Sequence, residues 1–179
     1  RADALNAVQR LPSGHRPHGT GMNSTLKLSL AACALLLLAA CSSTPRRVSP
    51  PATAIQQLTV QANGDWLVEL RLHNYSSIPM RFDSVRLDIS VDEHAAGSLQ
   101  VAPAISIGPT SADVVPVTLK PEAMARMVVA DALASRRTLS YRLQGTVTAL
   151  PEEARKPREF EVDDRSALNP APGLDGVLR

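Results

Sequence analysis

From Trp66 onward the chain changes face at every residue. Trp66, Val68, Leu70 and Leu72 fall on one side, and Leu67, Glu69, Arg71 and His73 on the other. Successive side chains of a strand point to opposite faces, so this period of two predicts a half-buried β-strand. Asn63-Gly64-Asp65 lies just ahead of it and reads as a hairpin turn. Residues 55–62 then make the preceding strand. A second alternating run covers 80–91, but its apolar set changes parity. Met80 and Phe82 share one phase, and Val85, Leu87, Ile89 and Val91 the other. A switch at Asp83-Ser84 is what a bulge produces.

Further strands follow at 97–107, 112–119, 138–149 and 158–162. Pro103 interrupts the first. In the second, Pro116 sits opposite in phase to Val115, Val117 and Leu119. Proline cannot donate to a ladder, so both prolines point to sheet edges. In the third, Leu139, Tyr141, Leu143 and Val147 oppose Ser140, Arg142, Gln144 and Thr146. One helix interrupts the series, at about 121–134, opened by Pro121 in the first-turn position that needs no N–H. Met124, Met127, Val128 and Ala132 fall at helical spacing and predict a core-facing stripe. Many short strands and one helix predict a mainly β chain, an antiparallel β-sandwich. Trp66, Tyr75, Tyr141, Phe82 and Phe160 are the only aromatic residues, so Val, Leu, Ile and Met must fill the core.

The amino-terminal part obeys a different rule. Met22-Asn-Ser-Thr-Leu-Lys27 precedes an apolar run, Leu28 to Ala40, of about 13 residues. A spanning helix needs roughly 20, so the run has the length of a signal-peptide core. Leu38-Ala39-Ala40-Cys41 follows at once and resembles the lipobox of bacterial lipoproteins. That resemblance implies cleavage before Cys41 and diacylglycerol on its thiol. It also implies that Ser42, where Asp would favour inner-membrane retention, permits transfer to the outer membrane. Cleavage would remove Cys33 and leave one cysteine, with no disulfide. Residues 1–21 lack an initial Met and any apolar periodicity, and read as an upstream extension. The expected divisions are thus 1–21 extension, 22–40 signal peptide, 41–53 Pro-rich tether, 54–165 domain and 166–179 flexible tail. The tether, in extended polyproline geometry, would reach up to about 40 Å.

Charge narrows the partners. The chain has 19 basic and 17 acidic residues. Four of the cations (Arg1, Arg10, Arg16, Lys27) and one anion (Asp3) precede Cys41, which leaves 15 against 16. No basic face for nucleic acid follows from that balance. Arg46 and Arg47, just past Cys41, are placed to touch anionic head groups. No G-x-S-x-G elbow, phosphate loop or dinucleotide fingerprint is present. His73 and His94 are the only histidines after Cys41, and their spacing is not that of a zinc site. Asp92-Glu93, Glu152-Glu153 and Asp163-Asp164 are adjacent pairs that would face opposite ways on a strand, and read as exposed turns. No catalytic, cofactor-binding or metal site is expected. The one site residue is Cys41, for lipidation.

The stretch from Leu67 to Val147 resembles the type 2 late-embryogenesis-abundant fold, the water stress and hypersensitive response domain. The resemblance runs through LVELRLHNYSSIPM at 67–80, SVRLDISV, a small-residue turn HAAGS at 94–98, PAISI at 103–107 and VVPVTL at 114–119. A helix follows, and LSYRLQGTV at 139–147 is similar to the family's Tyr-x-Leu-x-Gly ending. Tyr75-Ser76 stands where the family has Pro-Asn after Asn74. The resemblance implies a fibronectin-III/immunoglobulin-like sandwich, a link to desiccation or water stress, and no catalysis.

These readings combine into a non-enzymatic lipoprotein without cofactor. It would be a monomer, held by membrane lipid through acylated Cys41 at the periplasmic face of the outer membrane rather than the inner. The alternative is an accessory subunit of an envelope assembly, binding a protein partner by its sandwich surface. A hydrolase would require a cleft bringing Ser or Asp close to His73 or His94.

Overall fold

A computed structural model describes residues 46–179. Cys41, the signal peptide and the 1–21 extension lie outside the described residues. The order is β1 (Ala52–Val60), β2 (Trp66–Asn74), β3 (Met80–Val91), β4 (His94–Val101), β5 (Ile105–Ile107), β6 (Ser111–Leu119), α1 (Ala123–Ser135), β7 (Leu139–Pro151), β8 (Arg158–Leu168) and β9 (Val177–Leu178). One sheet has the order β6-β2-β1-β9. The other has β4-β3-β7-β8, with β5 pairing β3 beyond the end of β4. All pairings among the described strands are antiparallel, and the mainly β sandwich is the architecture that the alternation predicts.

The core is the set of inward positions. Trp66, Val68, Leu70 and Leu72 are fully buried in β2. In β3 both phases are buried, Met80 and Phe82 as well as Val85, Leu87, Ile89 and Val91. They reconcile because the β3–β7 register shifts between Phe82 and Ser84, where the sequence places a bulge. Gly145 marks a close backbone approach within that pairing. It sits opposite Leu87 at φ +151°, and a Cβ there would lie 2.1 Å from the Arg86 carbonyl oxygen. No side chain fits that distance.

Two polar straps tie the sheets together. The Tyr141 hydroxyl accepts the Ile55 N–H at 3.0 Å. The Asp164 carboxylate accepts both the N–H and the hydroxyl of Thr53, at 2.8 and 2.9 Å. Asp163-Asp164 is therefore a mid-strand pair of β8 and not the expected exposed turn. Alternation sends Asp163 outward and Asp164 inward.

These straps also close the front half of the β1 edge, and β9 covers the rest at Leu58 and Thr59. On the β6 edge, Pro116 pairs with Glu69 of β2, so its nitrogen must face outward. The Val114 N–H, on the same side, is taken by the Asp113 carboxylate at 2.8 Å. On β4, the Ala96 carbonyl accepts the Glu122 N–H at 3.0 Å. β8 carries Glu159, Glu161 and Asp163 on its outer face, all exposed.

Four further expectations need correction. The helix buries Ala125, Val129 and Ala132, while Met124 and Met127 are 54% and 66% exposed. Of the predicted stripe, Ala132 is buried and Val128 only partly so. Small side chains let the helix backbone approach β3 and β4, and the methionines are left outside. The segment 166–179 is not a flexible tail. β8 runs to Leu168, Pro/Gly turns reverse the chain, and Val177 and Leu178 return buried against β1. Asn169 and Arg179 exchange backbone hydrogen bonds of 2.6 and 2.8 Å. The small-residue stretch HAAGS is strand, and the turn is Asp92-Glu93, both at positive φ. Finally, the carboxy-terminal half of the 41–53 tether is docked, as described next.

Candidate functional site

Two regions hold enough polar structure to be candidate sites. The first lies where the chain enters the sandwich. Asn74, at the end of β2, is fully buried. Its Nδ2 approaches the carbonyls of Ile78, Ile107 and Gly108 at 2.9, 3.0 and 2.9 Å, and its Oδ1 accepts the Ser76 N–H at 2.9 Å. One side chain thus joins the β2–β3 turn to the β5–β6 turn. Buried carbonyls need such donors, and Asn supplies two N–H groups and an acceptor on a short stem.

Ser76 and Ser77 hold the incoming chain. The Ser76 hydroxyl accepts the Ser49 N–H at 3.0 Å, and the Ser77 hydroxyl accepts the Arg47 N–H at 2.7 Å. The Ser77 N–H donates to the Arg47 carbonyl at 2.9 Å. Arg46 pairs with Glu153 of the β7–β8 loop, and Pro51 is buried. The tether is therefore bound from Arg46 onward, not extended to residue 53. A composition rich in Pro and Ser did not disclose these partners, which lie about thirty residues away.

The second region is the outer face of the β4-β3-β7-β8 sheet, an open depression of about 1080 Å³. Asp88, Ser90, Ser140, Arg142, Gln144 and Arg165 are among its lining. Arg142 donates twice to Asp163, at 2.6 and 2.6 Å. That hydrogen bond holds the Asp163 carboxyl below its ordinary value and raises the guanidinium of Arg142 further. At one margin, Arg137 bonds Asp92 at 2.6 Å and Asp131 at 2.9 Å, and these bonds raise its own value. Arg142 and Arg137 are thus paired, Asp88 accepts the Ser98 hydroxyl, and Ser90, Ser140 and Gln144 add neutral polar groups to the lining.

Neither histidine belongs to it. His73 stacks on Tyr75 with ring centroids 4.1 Å apart, and His94 is exposed beside the β3–β4 turn. They lie at opposite ends of the sandwich, and the depression contains neither. The described residues hold no group of three or more His, Cys, Asp or Glu side chains able to share a metal ion. None of their helices is long and apolar enough to cross a membrane. The Trp66 Nε1 is buried without a hydrogen-bond partner among the described residues, a cost of about 1–3 kcal/mol that packing must offset.

The fold has known likenesses. A family described as late embryogenesis abundant protein, type LEA_2, matches residues 69–163. No curated protein matches the chain in sequence. Among solved structures, it is similar to an Arabidopsis thaliana protein solved in solution, at 10% identity and TM-score 0.43, covering 75% of this chain and 88% of that one. A second solution structure, of a protein described as late embryogenesis abundant, aligns at 12% identity and TM-score 0.44, covering 89% and 96%. A crystal structure from Archaeoglobus fulgidus aligns at 11% identity and TM-score 0.37, covering 70% and 98%. The matched segment includes Asn74, whose amide joins two turns, and Tyr141, Leu143 and Gly145, which strap, fill and tighten the sandwich. The chain belongs to the late embryogenesis abundant family of type LEA_2.

Proposed function

We propose that this protein is a non-enzymatic lipoprotein whose LEA_2 domain protects the cell envelope during water stress. Residues 22–40 direct export and are removed, and Cys41 carries the lipid. The domain stands at the periplasmic face of the outer membrane, without cofactor and without nucleic acid, as a monomer. The observation that carries the anchor is Leu38-Ala39-Ala40-Cys41 at the end of a short apolar run, five residues ahead of the docked Arg46. Membership of the LEA_2 family supports the link to water stress. Two or more acyl chains anchor stably, since each buried CH2 contributes about 0.8 kcal/mol.

Radiolabelled palmitate is expected to enter the wild-type protein and not Cys41→Ser, which should leave the membrane fraction. A deletion strain is expected to survive drying or osmotic shock worse than its parent. Label-free wild-type protein would end the anchor reading, and unchanged survival would end the protective one.

A second reading is favoured by Met124 and Met127. Both stand out from α1, at the end of the sandwich away from the incoming chain. Flexible thioether side chains suit an adaptable protein contact, as an accessory subunit of an envelope assembly requires. One stoichiometric partner lost on Met124→Ser/Met127→Ser is the result expected of that reading.

A further inference from the structure

We infer that the domain does not swing freely on its anchor. Its tether end lies on the bilayer, held to anionic head groups by the β7–β8 loop. This rests on the anchor proposed at Cys41. The loop from Glu152 to Pro157, with Arg158 at the start of β8, projects from the end where the chain enters, as its contact with Arg46 shows. Arg155, Lys156 and Arg158 are exposed there, as is Arg47 beside them. None of these four makes an ion pair among the described residues, whereas Arg81 is spent on Asp83. Glu152 and Glu153 are the loop's only anions, and Arg46 answers Glu153. Even with Glu159 of β8 counted against it, this end stays positive. At the opposite end, Lys120, Arg126, Arg136 and Arg137 are outnumbered by Asp65, Asp92, Glu93, Glu122, Asp131 and Asp175, and no positive excess remains.

Chain length makes the cluster effective. The tether is bound from Arg46, so only five peptide units separate the domain from Cys41. They span at most about 18 Å, against about 40 Å for the whole extended tether. The field of an anionic surface decays over roughly 8 Å at physiological salt. A short arm therefore keeps the loop within reach of that field and raises its effective concentration at the surface. Each basic residue at such a surface contributes about fivefold, so neutralising three shifts the docked-to-free ratio by on the order of a hundredfold.

The test uses the mature lipoprotein purified from membranes, in which acylated Cys41 is the one native cysteine. A fluorophore is placed on a cysteine introduced either in the loop (Pro157→Cys) or on the helix (Ala130→Cys). The protein is reconstituted into phosphatidylethanolamine–phosphatidylglycerol vesicles or phosphatidylcholine vesicles, each carrying a head-group quencher. The loop label is expected to be quenched in phosphatidylglycerol vesicles and much less in phosphatidylcholine. That quenching should weaken with salt and vanish in R155Q/K156Q/R158Q with the circular dichroism spectrum unchanged. The helix label should stay bright throughout. Equal quenching of both labels, equal quenching in both lipids, or quenching that survives the triple substitution would overturn the inference. So would an unquenched loop, the result if its ligand is an acidic protein. Flotation separates the two levels. Wild-type protein that fails to float with vesicles sinks the anchor itself, whereas protein that floats with an unquenched loop sinks only the docking.

Discussion

The two ends of the sandwich are closed by different physics. At the tether end a buried amide, two serine hydroxyls and four carbonyls interlock, with Asn74 at the centre. At the helix end, small apolar side chains of α1 pack on the sheet, and Leu168, Val177 and Leu178 fill the rest. A hydrogen-bond hub is directional, and each partner it loses remains buried and unpaired. An apolar closure depends on volume and tolerates exchange at constant volume. One end should therefore be chemically strict and the other sterically forgiving.

The largest effect should come from Asn74→Leu. The volume is nearly kept, but several buried carbonyls lose their donor, so about 4 kcal/mol of stability should disappear from urea unfolding. A loss below about 1 kcal/mol would show that the hub is ornamental and erase the contrast. Next is Leu168→Ala at the other end, at about 3 kcal/mol for the lost burial and the cavity. Leu168→Met there should cost under about 1.5 kcal/mol, and that tolerance is the mark of an apolar closure.

Ser76→Ala ranks third, at about 1 kcal/mol. Its signature is local, with faster hydrogen exchange at the Ser49 amide and little change at Leu178. Smaller again is the seam between the ends, where Arg142 grips Asp163. The folded value of Asp163 is depressed, so its contribution is present above the ordinary carboxylate range. It is lost as pH falls through the folded value. Wild type and Asp163→Asn should differ in urea midpoint at neutral pH and converge in acid. The exposure of the pair keeps the difference small. Met124→Ser with Met127→Ser should stay within about 0.5 kcal/mol, because both side chains already face water.

The strands were legible because each sheet buries one face, which writes a period of two into the sequence. Even the Asp83-Ser84 bulge could be read, since a slipped register changes the phase of the buried set. The helix face could not. Met124 and Ala125 are both apolar, and only the closeness of α1 to β4 decides that the smaller one goes inside. The 166–179 segment misled for a related reason. Proline and glycine there make turns that bring Val177 and Leu178 home, while composition alone reads as looseness. Of the entry region, Asn74 was visible as a turn residue. Its three carbonyl partners, and the hold of Ser76 and Ser77 on Arg47 and Ser49, depend on contacts between distant parts of the chain. Cys41 was read wholly from its neighbours in sequence, and palmitate labelling is its test.

As water is withdrawn from a cell, proteins are pushed together, and any unsatisfied strand becomes a template on which a neighbour can fuse. The rims of this sandwich leave little to copy. A proline and a borrowed carboxylate occupy one, side-chain straps and a returning terminus another, a helix start the third, and the acidic Glu159 and Glu161 flank the last. Molecules built this way can be crowded as the medium dries and still come apart when it is wetted again.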